Sequence, residues 1–506
     1  MPDAPAHQSN AKHVNAGRKW LLFLLRWTIA VVGIYWVVAN ISMHDRVLVT
    51  GSDGWPTSVR LADETKEGAT HFRILSAGGE TRDVSRTELV ARTDRQKITL
   101  KDGRKLAVLG LKVTEKGNRA TWPIIASPPR NLWQRYWDVH NGPARLIQPG
   151  EVAGKYTVDV PYPLIDRGLL PMIRDANRWK LSWALVIFPL TFIITSLRWH
   201  ELLKIVEINM GAGKAFVVTM VGAFYNTFMP GSTGGDVLKA YYAAKLAPDK
   251  RTRAVVSVIV DRAIGLLALI ILGGSMAGYV AWREHTSPSP NSVVLQKCLQ
   301  VAIGSLVIIT CTGIGLIILY KPALRRLTGV DFITRRLPMQ TQLAKAKEAI
   351  VLYRRNPLRC LATMLVTFPV HITVIVSATF AGSAFGLPLA PWYYWVVVPV
   401  IVLAGSIPIS PQGAGVMEFF AILLTKPQGA TVSQAFALTM SIRLVQIFWN
   451  LTGGIFVIRG GYHAPSEKES QDMDNTGLPA SFPSPGTPGE GRVRALSTTP
   501  ANDASP

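Results

Sequence analysis

Long apolar windows recur along this chain, and each has close to the roughly 20 residues that a helix needs to cross a bilayer. The windows predict membrane spans at Trp20–Ile41, Trp179–Trp199, Val255–Ala281, Val293–Tyr320, Leu358–Phe385, Pro391–Ile407 and Thr431–Ile458. The pattern therefore predicts an all-α polytopic membrane protein.

Two apolar stretches are interrupted at corresponding places. The first has Pro230 with Gly235 five residues later, and the second has Pro408 with Gly413 five residues later. A Pro/Gly break at membrane depth leaves backbone groups unpaired, which is tolerated only where they are buried in protein or line a wet cavity. The matched breaks predict two re-entrant hairpins in an inverted pseudo-repeat that meet near the midplane at a transporter-type site. Hydropathy also allows eight or more full crossings.

The segment 43–178 has a different pattern. Short alternating apolar runs at 46–50, 71–76 and 97–100 predict strands. Asp102-Gly103 separates the third run from another at 106–113, and this dipeptide is a strong hairpin signal. We therefore expect a small β-rich domain, with a structural or docking role, between the first and second spans.

These patterns divide the chain into five parts. They are a basic N-terminus 1–19, a transmembrane anchor 20–41, a β-rich insert 43–178, a transmembrane domain 179–459 and a tail 460–506. The tail is rich in Ser, Pro and Gly and is predicted to be disordered.

Composition and charge support a membrane location. Hydrophobic residues make up 48% of the chain and charged residues 17%, with 54 basic against 32 acidic residues. A net charge of +22 would suggest nucleic acid in a soluble protein, but here it fits positive-inside loops and an anionic lipid surface. Basic residues concentrate in 239–253 and 321–359. These loops and both termini are therefore predicted to be cytoplasmic, at the cell (inner) membrane, with the insert on the outer side.

Charged residues inside the predicted spans are the candidate functional groups. Asp261 and Arg262 lie near the start of one span, and Arg443 lies within the last. A charge at membrane depth costs at least ~2.5–3.5 kcal/mol, so each needs a partner or water. Adjacent helix residues point about 100° apart, so Asp261 and Arg262 need partners from elsewhere. The candidate partners are Asp236, Lys239, Glu418 and Arg443.

Five segments together resemble the lysylphosphatidylglycerol synthase transmembrane-region family, also called flippase-like integral membrane proteins. They are LRWHELLKI, FYNTFMPGSTGGDVLKAYYAAKL, SVIVDRAIGLLAL, IPISPQGAGVMEFFAIL and SIRLVQIFWNLTGG. The resemblance covers about residues 179–460. It implies a polytopic fold and, in the founding type, movement of an aminoacylated phospholipid between leaflets after a separate cytosolic domain makes it.

The resemblance also implies a substrate-binding set within these segments. Its members are Asn226, Pro230, Gly234, Gly235, Asp236, Lys239, Asp261, Arg262, Gly413, Gly415, Glu418 and Arg443. Family members often carry a basic residue just before the glutamate, whereas this chain has Met417, so the charge of that half-site differs. No aminoacyl-transferase domain is visible, and we expect no enzymatic activity.

The resulting hypothesis is a non-enzymatic lipid translocase without cofactor or metal. Its expected partners are an anionic or aminoacylated phospholipid, or an isoprenoid-phosphate, and a separate lipid-modifying enzyme, with no nucleic acid. Exposed N–H groups at half-helix N-termini suit a phosphate, and Arg binds it bidentately. Two alternatives stay open: a membrane-embedded transferase using Asp236 and Glu418 as acid and base, and a structural scaffold that presents the β-rich domain.

Overall fold

The computed structural model describes most of the chain from residue 41 onward. The described ranges are 41–51, 54–63, 69–76, 79–93, 97–115, 121–129, 143–154, 163–228, 234–287, 292–328, 340–406 and 413–460, with Tyr462 and isolated positions of the first apolar segment. The proposed N-terminus, nearly all of the proposed anchor, both proline breaks and nearly all of the tail lie outside these residues.

The insert is a β domain of two five-stranded sheets. Its strands are β1 Arg46–Thr50, β2 Pro56–Leu61, β3 His71–Leu75, β4 Thr81–Ser85, β5 Val90–Ala91, β6 Lys97–Thr99, β7 Lys105–Lys112, β8 Ile124–Ser127, β9 Arg145–Ile147 and β10 Ile165–Asp166. One sheet has the strand order β10-β1-β2-β3-β4. The other has the order β5-β7-β8-β9, and β6 also pairs with β7. All strand pairs within these sheets are antiparallel.

The predicted hairpin is confirmed as β6–β7. Thr99 pairs with Lys105 in the ladder, and Gly103 has a φ of +86°, which glycine adopts without steric cost. The Asp102 carboxylate accepts a hydrogen bond from the backbone N–H of Arg104 at 3.0 Å. The turn residues therefore set the register of this pair.

The domain begins and ends at one place. Arg46 of β1 pairs with Asp166 of β10, and the buried Asp45 carboxylate accepts a hydrogen bond from the Gly168 N–H at 2.7 Å. A side chain on Gly168 would meet the backbone of His44. The chain therefore enters the domain and leaves it through neighbouring strands.

The membrane body is helical. Its helices are α1 Leu169–Arg174, α2 Arg178–Ile187, α3 Leu190–Ile205, α4 Ala212–Phe228, α5 Gly234–Leu246, α6 Arg251–His285, α7 Ser292–Tyr320, α8 Pro322–Leu327, α9 Gln340–Arg355, α10 Pro357–Ala384, α11 Tyr394–Ser406, α12 Val416–Thr425, α13 Val432–Thr452 and α14 Gly454–Gly460.

Five helical segments in the described part of the chain are long and apolar enough to cross a membrane. They are Arg178–Ile205, Pro248–His285, Val293–Gly315, Pro357–Ala384 and Val432–Arg459. Apolar side chains on their outer faces are exposed, as on α7, where Ile303, Leu306 and Val307 are each more than half accessible. An exposed apolar surface of this extent suits lipid rather than water.

The fifth window predicted within the body, Pro391–Ile407, is not a full span in the structure. Helix α11 contains only 13 residues, and Gly405 lies against Gly413 just before α12 begins. At the other end of this pair, the Tyr393 hydroxyl donates to the Leu424 carbonyl at 2.9 Å. Helices α11 and α12 are therefore antiparallel and form a short helix pair.

Helices α4 and α5 form a second short pair. The Gly235 N–H donates to the Asn226 side chain at 2.7 Å near the break. At their other ends, Ala215 and Ala244 belong to one buried cluster. This pair is therefore also antiparallel.

The body has two distinct ends. At the first, here called the domain end, the Asn177 N–H donates to the Ala384 carbonyl at 3.1 Å, and Ser433 donates to the carbonyl of Ser42 at 3.3 Å. At the opposite end, here called the basic end, Arg253 forms ion pairs with Glu207 and Glu348. The α11–α12 pair connects to the rest of the body at the domain end, and the α4–α5 pair connects to it at the basic end.

Candidate functional site

A cavity of about 260 Å³ lies inside the body, between the two short helix pairs. Both pairs contribute to its wall, α4–α5 through Gly235 and α11 through Ser406. Helices α3, α6, α10 and α13 supply the remaining sides. Its ionisable lining residues in the described part of the chain are Arg198, Asp236, Lys239, Asp261, Arg262 and His371.

Asp261 on α6 is the centre of the buried charges. Its Oδ1 accepts a hydrogen bond from Arg198 Nε at 2.8 Å, and its Oδ2 lies 3.8 Å from Lys239 Nζ. All three residues are less than a tenth exposed. One buried carboxylate therefore holds two cations from different helices, which leaves this cluster with a net positive charge.

Further contacts orient the two cations. Arg198 Nη1 donates to the hydroxyl of Thr367 at 3.2 Å, and the Lys239 ammonium lies 5.3 Å from the centroid of the Trp199 ring. The Trp199 indole N–H lies 3.4 Å from the hydroxyl of Ser257. A cation over an indole face is stabilised by the ring quadrupole. These contacts fix the orientation of both cations.

A second ion pair lines the cavity. Arg262 Nε contacts Asp236 Oδ2, and the two side chains are 40% and 18% exposed. Arg262 is thus the most accessible of the cavity cations whose ion pairs are described. Because Asp261 and Arg262 face different partners, the sequence argument that adjacent helix residues would pair elsewhere is confirmed.

Close backbone approach explains the glycine at the first break. A side chain on Gly235 would collide with the Gly222 carbonyl on α4 and approach the Asn226 side chain at 2.8 Å. Gly234 also lies buried at the start of α5. The predicted residues Asn226, Gly235, Asp236 and Lys239 therefore lie together, whereas Pro230 lies outside the described residues.

The second half of the predicted set forms a separate site. Arg443 Nη1 on α13 lies 2.9 Å from Glu418 Oε1, and Glu418 Oε2 accepts a hydrogen bond from the Gly415 N–H at 2.7 Å. Gly415 has a φ of +82° and Gly413 of +69°. None of these four residues lines the cavity. The sequence-based set is therefore divided between the cavity and this neighbouring ion pair.

The Glu418–Arg443 pair is close without being fully hydrogen-bonded. Their charged groups are near enough for an ion pair, but neither Glu418 Oε1 nor Arg443 Nε has a hydrogen-bond partner among the residues that the structure describes. The guanidinium also approaches the Met417 sulfur at 3.5 Å. Met417 thus packs on the arginine.

Several cavity residues were not singled out from the sequence. Arg198 lies in the LRWHELLKI segment at the end of a predicted span, so an arginine at that depth was an available signal. His371, Gln446 and Asn450 also line the cavity. His371 Nε2 contacts the Gly265 carbonyl at 2.9 Å. These three polar residues lie within predicted spans, but helix packing decides that they face this cavity.

The cavity carries an excess of cationic side chains. Three cations and two carboxylates leave it with one net positive charge while His371 is neutral. Arg262 is accessible, and guanidinium groups bind phosphate and carboxylate oxygens bidentately. Two short apolar helix pairs meeting at such a cavity define an integral membrane protein with an internal polar site.

Comparison with known sequences gives the family. Residues 167–454 match the model of the lysylphosphatidylglycerol synthase TM region, and the chain belongs to this family. The match begins directly after β10, so nearly all of the β domain lies outside it.

Two similar proteins are archaeal membrane proteins. A UPF0104 membrane protein of Pyrococcus horikoshii is 24% identical over 313 residues, which are 58% of this chain and 91% of the relative. A UPF0104 membrane protein of Methanothermobacter thermautotrophicus is 22% identical over 298 residues, 55% of this chain and 84% of the relative. The similarity therefore extends over nearly the whole length of these relatives.

Proposed function

We propose that the protein is a lipid translocase whose cavity binds the anionic headgroup of a membrane lipid. The observation that supports this function best is the net positive cavity between the two short helix pairs, inside a body with an apolar outer surface. A phosphate-bearing headgroup would lie against Arg262, Arg198 and Lys239, and the acyl chains would stay in lipid.

The two short pairs fit the re-entrant hairpins predicted from the sequence. The α4–α5 pair would enter from the basic end and the α11–α12 pair from the domain end, so that their tips reach the cavity from opposite faces. With the anchor as a sixth crossing, the termini and the basic end would be cytoplasmic, and the β domain would be extracytoplasmic. The membrane would be the cell (inner) membrane.

A polar stripe on α13 supports passage through the body. Arg443, Gln446 and Asn450 recur at intervals of three and four residues and therefore share one helix face. Gln446 and Asn450 line the cavity, and Arg443 lies about one turn closer to the domain end. A headgroup that moves toward that end would next contact the Glu418–Arg443 pair.

The transferase alternative is less well supported by the geometry. It needs Asp236 and Glu418 to act on one substrate, but Asp236 lines the cavity and Glu418 does not. We therefore propose a non-enzymatic role, with any lipid-modifying enzyme as a separate partner. Release of a headgroup by the purified protein would contradict it.

The test uses the full chain in vesicles containing a fluorescent phosphatidylglycerol. Quenching from outside measures how fast the label exchanges between leaflets. We expect exchange to be faster than in protein-free vesicles, and Arg262→Gln to slow it at least tenfold. The control is Lys204→Gln, which removes an exposed cation from α3 whose partner is Glu201. Wild-type protein that neither exchanges nor retains an anionic lipid would refute the proposal.

A further inference from the structure

A cluster of charged side chains lies where the β domain meets the helical body. Asp166 of β10 forms an ion pair with Arg92 at 2.5 Å, and Arg46 lies directly opposite Asp166 in the β1–β10 ladder. Arg60, on the strand that flanks β1 on its other side, lies directly opposite Arg46. Lys426, in the turn after α12, lines a cavity of about 20 Å³ together with Arg92 and Asp166. These five residues are here called the junction cluster.

The junction cluster has an excess of positive charge. Its four cations and one carboxylate leave three net positive charges when Asp166 is ionised. Arg46, Arg60 and Lys426 are exposed, and no carboxylate in the described part of the chain lies within ion-pair distance of them. Residues directly opposite on antiparallel strands share one face of the sheet, and like charges there destabilise it. A bound anion would therefore relieve the repulsion between Arg46 and Arg60.

The surroundings of the cluster place it at the level of lipid headgroups. Helix α1 begins three residues after Asp166, and its Leu170 and Ile173 are more than half exposed. Trp179, in the first turn of α2, is 79% exposed. Exposed apolar side chains suit lipid, and tryptophan is enriched where a membrane meets water. The surface of the membrane therefore passes beside the junction cluster, so the nearest anions are lipid headgroups.

We propose that the junction cluster is a separate anion site that binds the phosphate headgroup of an anionic phospholipid in the leaflet at the domain end. Each free oxygen of a phosphodiester can accept hydrogen bonds from a different arginine, and Lys426 adds a point charge from the body. The inference goes beyond the proposed function, because it involves neither the large cavity nor movement between leaflets. The bound lipid would hold the β domain against the membrane surface.

Arginine footprinting tests the site residue by residue. Phenylglyoxal reacts with accessible guanidinium groups, and peptide mass spectrometry measures the reaction rate at each arginine. The full chain is studied in nanodiscs of phosphatidylcholine alone and in nanodiscs that also contain phosphatidylglycerol. We expect phosphatidylglycerol to slow the reaction of Arg46 and Arg60 at least threefold. Arg73 should not change, because this exposed arginine of the same sheet already has ion pairs with Asp63 and Asp83.

Two variants change the charge of the cluster in opposite directions. Arg60→Gln removes a cation and should raise the phosphatidylglycerol content needed for half-maximal protection of Arg46 at least threefold. Asp166→Asn removes the carboxylate that competes with the headgroup, so it should lower that content. A merely structural role for the cluster would not produce this increase in affinity. Arg73→Gln is the control variant and should leave the protection of Arg46 unchanged.

Three results would overturn the inference. The first is an equal reaction rate of Arg46 in the two kinds of nanodisc. The second is protection by inorganic phosphate in phosphatidylcholine nanodiscs without protection by phosphatidylglycerol, which would assign the cluster to a soluble anion. The third is loss of the protection in Arg262→Gln, which would make it an effect of the large cavity. None of these results bears on the proposed function, because that function is tested by leaflet exchange.

Discussion

Arg443 and Glu418 join the last long helix of the body to the first turn of α12. The charged atoms lie 2.9 Å apart, and the same carboxylate accepts the N–H of Gly415 at the helix start. The side chains are only 12% and 3% exposed. One carboxylate thus fixes both the start of a half-helix and its contact with α13, and it is one of the candidate partners named from the sequence.

The first prediction is energetic coupling within this pair. Arg443→Ala should destabilise the protein by ~3–5 kcal/mol, because it leaves Glu418 buried and uncompensated. Glu418→Gln should be similarly severe, and the double variant should cost much less than the two losses added. Thermal unfolding of the four proteins in one detergent gives the coupling energy.

The control for this double-mutant cycle is a second cycle that combines variants of Arg443 and Asp236. Asp236 lies on the other short pair and forms an ion pair with Arg262, so its effect should add to that of Arg443 within ~0.5 kcal/mol. A coupling between Arg443 and Glu418 that is equally small would mean that the two residues act independently.

The second prediction concerns backbone approach at the breaks. Gly235→Ala should abolish transport in a protein that still inserts, because a Cβ there collides with the Gly222 carbonyl. Gly413→Ala should also be deleterious for two reasons. Gly413 has a φ of +69°, and a Cβ added there would lie 2.5 Å from the Cα of Gly405. Leaflet exchange and expression are both measured.

Gly304→Ala is the matched control for these glycines. Gly304 lies within α7, and nothing lies within 4 Å of an added Cβ there. The change should be neutral or stabilise slightly, because alanine favours a helix over glycine by about 1 kcal/mol. Full activity in both Gly235→Ala and Gly413→Ala would show that tight packing at the breaks is unnecessary.

The third prediction concerns topology. In a background with the three native cysteines replaced, cysteines at Ser76 in the β domain and Lys321 after α7 should react from opposite sides of the membrane. Both positions are exposed. An impermeant reagent added to intact cells should label Ser76→Cys alone. Labelling of both variants, or of Lys321→Cys alone, would contradict the proposed orientation.

The fourth prediction is a pH dependence of β-domain stability. Burial raises the pKa of Asp166 above its ordinary value of 3.8, although the ion pair with Arg92 at 2.5 Å opposes the shift. The native state therefore holds this proton to a higher pH than the unfolded state. Stability should fall as the pH rises from 3.8 through the raised native pKa, and Asp166→Asn should remove that part of the loss.

Asp102 provides a control of opposite sign. Hydrogen bonds from the Arg104 backbone and side chain lower the pKa of this exposed carboxyl. Its stabilisation is present above pH 3.8 and is lost as the pH falls through the lowered value, so Asp102→Asn should reduce stability at neutral pH and lose this effect in acid. Unfolding temperatures measured against pH for the wild type and both variants should diverge in opposite directions.

Local sequence signals were sufficient for much of the fold. The β6–β7 hairpin follows from Asp102-Gly103, and the long helices follow from uninterrupted apolar windows. The glycine requirements at Gly235 and Gly413 follow from the breaks. In each case, a few neighbouring residues contain the physical cause.

The remaining features depend on contacts between distant parts of the chain. Arg198 meets Asp261 across 63 residues, and Thr367 lies a further hundred residues on. No local pattern fixes which helix faces which. For the same reason, the sequence placed Glu418 and Arg443 in one site with Asp261, whereas helix packing moves them beside the cavity. The short strands β5, β9 and β10 exist only through their partners in the sheets.

Because the first strand β1 and the last strand β10 are neighbours, the β domain is inserted at a single place and can be exchanged as a unit. Adjacent strands lie about 4.8 Å apart, so the two ends of the insert are close enough for a short turn to join them. The family match starts at residue 167, directly beyond this junction. A domain attached in this way can be lengthened, replaced or deleted during evolution without changing the geometry of the helices below it.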